Sequence, residues 1–124
     1  MDTTNEIINE PYKVELYQTI KEIGNILSQD ATIDIIFHLS NEPMRYKDLK
    51  KLLNSSDATL SRRLDKLMEY NVIESLPVVL GKKHTHEYTV TELGQELIRF
   101  FRNYEKRRQK IKVEVGSYAE KIEV

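Results

Sequence analysis

Apolar residues recur along much of the chain at the three- and four-residue spacing of amphipathic helices, broken once by a short β-branched stretch. From Pro11, whose fixed φ suits a first helical turn, Leu16, Ile20, Ile23 and Leu27 form one stripe and predict a helix ending near Ser28. Asp30 is placed to cap a second helix. In it Ile33, Ile36 and Phe37 face one way, Ile35 and Leu39 widen the buried surface, and Asn41 and Pro43 form the stop. Arg45 and Tyr46 read as an extended link into a helix of about two turns, Lys47 to Leu53, with Leu49, Leu52 and Leu53 inward.

Asn54 and Ser55 break that helix, and Ser56 is suited to cap the next by accepting from the backbone N–H of Ala58 or Thr59. Asp57 in the first turn favours the positive helix end. With Leu60, Leu64, Leu67 and Met68 as the buried stripe, Ala58, Thr59, Ser61, Arg62, Arg63, Asp65 and Lys66 lie on or near the open side. Asn71 tolerates the left-handed conformation of a C-terminal stop. Val72 to Val79 and Thr85 to Val90 predict two strands around a turn at residues 80–84, with Pro77 arguing for an edge or a kink. Thr91 then caps a last helix carrying Leu93, Leu97, Phe100 or Phe101, Tyr104, Ile111 and Val115 on one face, with Gly116 and Ser117 ending it. The expected fold class is mainly α with a small β-hairpin (α+β). A single domain over residues 10–116, with its core at 30–98, would follow a flexible arm at 1–9 and precede a frayed tail at 117–124.

Composition adds little until it is read by region. The 124 residues are 40% apolar and 31% charged, without cysteine, so disulfides, thiolate metal sites and thiol switches are excluded. No apolar run approaches the roughly 18 to 20 residues of a membrane span, and the acidic start is unlike a signal peptide, so a cytoplasmic protein is expected. The net charge of −1 conceals a division: residues 1–42 hold 2 basic and 8 acidic side chains, residues 43–83 hold 9 and 5, and residues 84–124 hold 8 and 7. Arg99 to Lys112 is denser still, with seven cations against Glu105 alone. Abundant isoleucine, lysine and glutamate hint at an AT-rich or thermophilic, archaeal source.

The helix 56–70 is the strongest candidate site. Small residues at its start let it lie deep in a groove, while Arg62 and Arg63 can reach guanine edges or phosphates. Small polar residues near a helix start also describe any cap; what favours nucleic acid is the hairpin that follows, with Lys82 and Lys83 at its tip. A charged tip is equally a way for a ribbon to avoid aggregation. His84, His86 and Glu87 fall short of a closed metal sphere, and His38 reads as a core or boundary residue, so no metal is expected. Phe100, Phe101 and Tyr104 read as core or helix-pairing surface, with a ligand pocket as the lesser reading; the run Arg99 to Lys112 divides between a solvated face and a second backbone-binding surface. A phosphate loop, nucleophile elbow, HExxH pair or forced carboxylate pair is lacking, so neither catalysis nor a cofactor is expected, and a small-molecule effector finds no support.

The order of elements, with the phrases MRYKDLKKLL, SDATLSRRLDKLMEYNVI and HEYTVTELGQEL, resembles the winged helix-turn-helix transcription regulators, most closely the HxlR-like branch and the related archaeal Lrs14-like proteins. The resemblance covers about residues 30–98 and implies a homodimer assembled by the helices at the two ends of the chain. It also implies residues 56–70 as recognition helix and Lys82 to His84 as wing tip. Two departures matter: cysteine-based sensing is ruled out, and Asn71 stands where many relatives place glycine.

The expected function is therefore a sequence-specific, nucleoid-associated regulator binding double-stranded DNA as a homodimer at a near-palindromic promoter site. Arg45, Tyr46, Lys47, Ser56, Ala58, Thr59, Ser61, Arg62, Arg63, Lys66, Lys82, Lys83 and His84 are the expected DNA contacts. Leu16, Ile20, Ile23, Leu27, Leu97, Phe100, Phe101, Tyr104 and Ile111 are the expected dimer surface. An architectural, weakly specific DNA-coating protein is the alternative, and a winged helix used for protein interaction the second.

Overall fold

The computed structural model describes residues 11–122, with side-chain surroundings for residues 13–116. The expected arm at 1–9 lies outside the described residues. Five helices and one hairpin follow in the order α1 (Pro11–Leu27), α2 (Thr32–Asn41), α3 (Tyr46–Leu52), α4 (Asp57–Glu69), β1 (Ile73–Leu80), β2 (Lys83–Val90) and α5 (Glu92–Ile122). The fold is mainly helical with a two-stranded antiparallel sheet, as the periodicity predicts.

The core gathers one face of each element between α1 and β2. Ile35, Leu49, Leu60, Leu64, Leu67 and Ile73 are fully buried, and Ile26, Ile36, Leu39, Leu53, Val72 and Val90 complete the cluster. Each such side chain contributes about 1.5 to 3 kcal/mol by leaving water. Leu97 and Ile98 at the start of α5 pack against this cluster, and Gly94 allows the approach: a Cβ there would lie 2.2 Å from the Val72 carbonyl oxygen and 2.6 Å from Val90 Cγ1.

Local caps follow the sequence at three of the four places expected. Ser56 Oγ accepts from Thr59 N–H at 3.1 Å, and Thr91 Oγ1 accepts from Gly94 N–H at 2.9 Å. Asn71, with φ 59°, ends α4: its N–H donates to Met68 O at 3.0 Å and Val72 N–H to Leu67 O at 2.9 Å, the pair of bonds that closes a helix through a left-handed residue. Asp30 does not cap α2. Ala31 occupies that position with φ 69° and no side-chain cap, while the Asp30 carbonyl accepts a bond from Arg63 instead.

Four further expectations are corrected. The buried face of α2 is Thr32, Ile35, Ile36 and Leu39, which leaves Ile33 and Phe37 exposed. The i, i+3, i+4, i+7 set begins on the polar Thr32, so hydrophobicity alone finds Ile35, Ile36 and Leu39 but adds Ile33 and Phe37 from outside the face. Leu52 is exposed because α3 ends there and the extended Leu53 turns inward in its place. The hairpin turn is tighter than residues 80–84: Leu80 pairs with Lys83, leaving Gly81 and Lys82 between, and Gly81 takes φ 63°. Helix α5 does not stop at Gly116; its backbone stays helical to Ile122, since an isolated glycine costs a helix only about 1 kcal/mol.

Candidate nucleic-acid interface

The start of α4 is tied to α3 by two side chains, Tyr46 and Lys50. Tyr46 OH donates to Asp57 Oδ1 at 2.9 Å, Lys50 Nζ lies 3.6 Å from the same carboxylate oxygen, and Lys50 Nζ also donates to Ser55 O. These contacts fix the break between the two helices and thus the direction in which α4 leaves it. With Leu60, Leu64 and Leu67 buried, the outer face of α4 presents Ala58, Ser61, Arg62, Asp65 and Lys66 to solvent, with Thr59 and Arg63 half-buried.

The basic residues of this region divide by what already holds them. Arg63 Nε donates to the Asp30 carbonyl at 3.0 Å, so Arg63 braces the turn before α2 and does not lie free on the open face. Lys66 pairs with Glu69 at 3.1 Å, and that carboxylate's hydrogen bond and charge raise the ammonium pKa. Arg45, at the N-cap of α3, pairs with Asp48 at 3.4 Å. Among the described residues Arg62 Nε donates only to the Ala58 carbonyl, at 3.3 Å, which leaves the outer nitrogens of its guanidinium for another acceptor. Lys47 is exposed without an ionic partner among the described residues, and so is Lys51, one helical turn on along α3. Lys51 escaped the sequence reading although its i, i+4 spacing from Lys47 was visible.

The hairpin is attached to this unit at its base. Met44, in the link before α3, exchanges two backbone bonds with Tyr88, 3.0 Å from its N–H and 2.8 Å to its carbonyl, adding a third short strand segment that no sequence pattern announced. Burial, with the nearby Asp65 charge, raises the Tyr88 pKa. At the far end, Lys82, Lys83 and His84 are exposed. His84 and His86 stand opposite Val79 and Pro77, and no cluster of metal-ligating residues forms among the described residues. A cavity of about 440 Å³ at the start of α4 is lined by Asp30, Asp34 and Ser56 among others, which is the wrong charge for an anion.

The terminal helices carry the second group of expected residues. Leu27 and Leu97 pack on the core and Ile23 is half-buried, whereas Leu16, Ile20, Phe100, Phe101, Tyr104 and Ile111 are exposed. Tyr17 and Val113 join the exposed set. Phe100 meets Phe101 edge to face at 5.5 Å and stacks with Tyr104 at 6.4 Å, so the aromatics form a continuous outer ridge. No described helix is long and apolar enough to cross a membrane.

The HxlR-like helix-turn-helix family profile matches residues 26–114. The chain belongs to that family. It is accordingly a DNA-binding transcriptional regulator and not an enzyme. Among solved structures, the reduced form of the transcriptional regulator YodB from B. subtilis superposes with a TM-score of 0.63 at 22% identity, covering 71% of this chain and 86% of that one. A candidate HxlR-family transcriptional factor from Thermoplasma volcanium gives 0.54 at 20% identity, covering 73% and 81%. An ArsR-like transcriptional regulator from Rhodococcus sp. RHA1 gives 0.52 at 20%, covering 84% and 96%. At these identities the structures share the fold with this HxlR-like chain and nothing finer. No curated protein sequence matches it.

Proposed function

We propose that this HxlR-like chain acts as a homodimer on near-palindromic promoter DNA, with α4 in the major groove and the β1–β2 hairpin as a wing on the backbone or minor groove. One observation carries the reading. The leucine face of α4 is buried and its start is fixed by Ser56, Tyr46 and Lys50, leaving Ala58, Ser61 and Arg62 on an unobstructed outer face. Around α3 and the hairpin, Lys47, Lys51, Lys82 and Lys83 have no ion pair among the described residues and suit phosphates, and the apolar ridge of α5 with Leu16 and Ile20 of α1 is the surface for pairing subunits. Arg45, Tyr46, Arg63 and Lys66 act first as braces, since each already has a partner within the chain.

Selection of bound sequences from a random duplex pool, followed by titration against salt, tests this directly. A preference above about tenfold for the selected site is expected, and a smaller one would sink the promoter-specific reading. Arg62→Ala should cost about 1 to 3 kcal/mol and relax discrimination at one base position; equal weakening on every sequence would move it to the phosphate-contacting class. Among the described residues, the internal engagement of Arg63 and Lys66 leaves Arg62 as the one cation of α4 without a carboxylate or loop partner, and this favours architectural, weakly specific binding as the second reading.

A further inference from the structure

Beyond the winged unit, α5 holds a second body of positive charge arranged unlike the first. Arg99, Arg102, Lys106 and Lys110 follow at intervals of three, four and four residues and therefore form one row on the helix. All four are exposed, and none has a carboxylate at ion-pair distance among the described residues. The one acid within the run, Glu105, is already held by Arg108 at 3.5 Å and by Gln109 at 2.6 Å.

A helix face that served solubility alone would alternate glutamate with lysine at i, i+4. Here Arg99 neighbours Arg102, Arg102 neighbours Lys106 and Lys106 neighbours Lys110, and the acids at helical spacing from the row, Glu96, Glu105 and Glu114, form no ion pair with it among the described residues. Each like-charged pair at this spacing destabilises the free helix. An external polyanion would relieve that repulsion. The row also lies across the helix from Leu93, Phe100, Tyr104 and Ile111, so covering the apolar ridge would leave it facing outward.

We propose that this row is a second phosphate-binding surface, separate from α4 and the hairpin, which engages the backbone of duplex DNA without regard to sequence. The row spans twelve residues of helix, a rise of about 16 Å. A duplex presents about one negative charge per 1.7 Å of its axis, so a straight row of cations fits a continuous polyanion better than a compact one. The inference rests on the chain's being a DNA-binding protein and not on α4 being its recognition helix.

The test measures the affinity of the full chain for a mixed-sequence duplex of about 30 base pairs, three helical turns, as a function of salt. Each phosphate contact adds about 0.9 to the slope of log affinity against log salt. The variant R99Q/R102Q/K106Q/K110Q should lower the slope by about two units or more per bound chain, and a smaller fall overturns the proposal. R99K/R102K keeps the charges and should keep the slope; loss of slope there would show a structural effect and also overturn it. K82Q/K83Q run in parallel separates the two surfaces. A slope lowered by the wing change alone removes the α5 row and leaves the winged-helix reading standing, whereas a slope lowered by the α5 change alone supports the row and removes only Lys82 and Lys83 as phosphate contacts. Failure of the unaltered chain to bind any duplex at low salt removes the reading beneath both.

Discussion

Helices α4 and α5 are both amphipathic at the same period, yet their apolar stripes meet different fates. In α4, Leu60, Leu64 and Leu67 are fully buried, with α1 and the hairpin packed against the helix. In α5, Phe100, Tyr104 and Ile111 stand 62%, 59% and 58% exposed. The difference lies in what surrounds each helix. α4 lies between α1 and the hairpin, which fold around it, while α5 leaves the core after Leu97 and Ile98 and continues to Ile122, with residues 99–116 exposed among the described residues. Large apolar side chains in a continuous exposed row mark an interaction surface, because leaving each in water forfeits the 1.5 to 3 kcal/mol, roughly, that its burial would contribute.

The comparison is broken most forcefully from the α4 side. Leu64→Ala should destabilise the fold by about 2 to 5 kcal/mol, since it opens a cavity where no neighbour can collapse. The loss, followed by denaturant unfolding, should be insensitive to protein concentration relative to the unaltered chain. Phe100→Asp should act on association instead: the dimer dissociation constant in sedimentation equilibrium should rise at least about tenfold, roughly 1.4 kcal/mol. The melting temperature of the unaltered chain should increase with its concentration, and that dependence should weaken in the variant. If Phe100→Asp unfolded the chain as Leu64→Ala does, at every concentration, the ridge of α5 would belong to the monomer's own core.

The same contrast governs how much the sequence reveals. Where a side chain answers to its own backbone within a few residues, sequence and structure agree: the caps at Ser56 and Thr91, the left-handed Asn71 and the leucine stripe of α4 all fall as expected. Where the partner is distant, they part. Nothing near Arg63 points to the Asp30 carbonyl 33 positions away, and nothing near Met44 points to Tyr88. Asp30 looked like a cap because its side chain can serve as one, but the chain turns through Ala31. Apolar character alone places Ile33 and Phe37 inside, whereas Thr32 holds that place, its buried hydroxyl without a hydrogen-bond partner among the described residues. For the nucleic-acid surface the residue types were legible and their availability was not: which cations are free depends on the acids and carbonyls that folding brings beside them.

The smallest effect discriminates two roles for one residue. Ser56 belongs among the expected DNA contacts by position, yet its hydroxyl accepts from Thr59 N–H at 3.1 Å and lies 3.0 Å from Thr59 Oγ1, so its bonding capacity is largely used at the helix start. Ser56→Ala should therefore cost about 1 kcal/mol of stability, Ser56→Gly a few tenths, and Ser56→Asp little, following the order of N-cap preference. DNA affinity at a temperature well below melting should change little in all three, apart from a modest loss in the aspartate variant from its charge. The cap role fails if Ser56→Ala leaves unfolding untouched while weakening DNA binding, for then the hydroxyl would be serving a phosphate and α4 would begin without it. Either result sharpens the contrast with α5, whose cap, Thr91, also donates to the Asn71 and Val72 carbonyls and so joins the long helix to the end of α4 and the base of the hairpin.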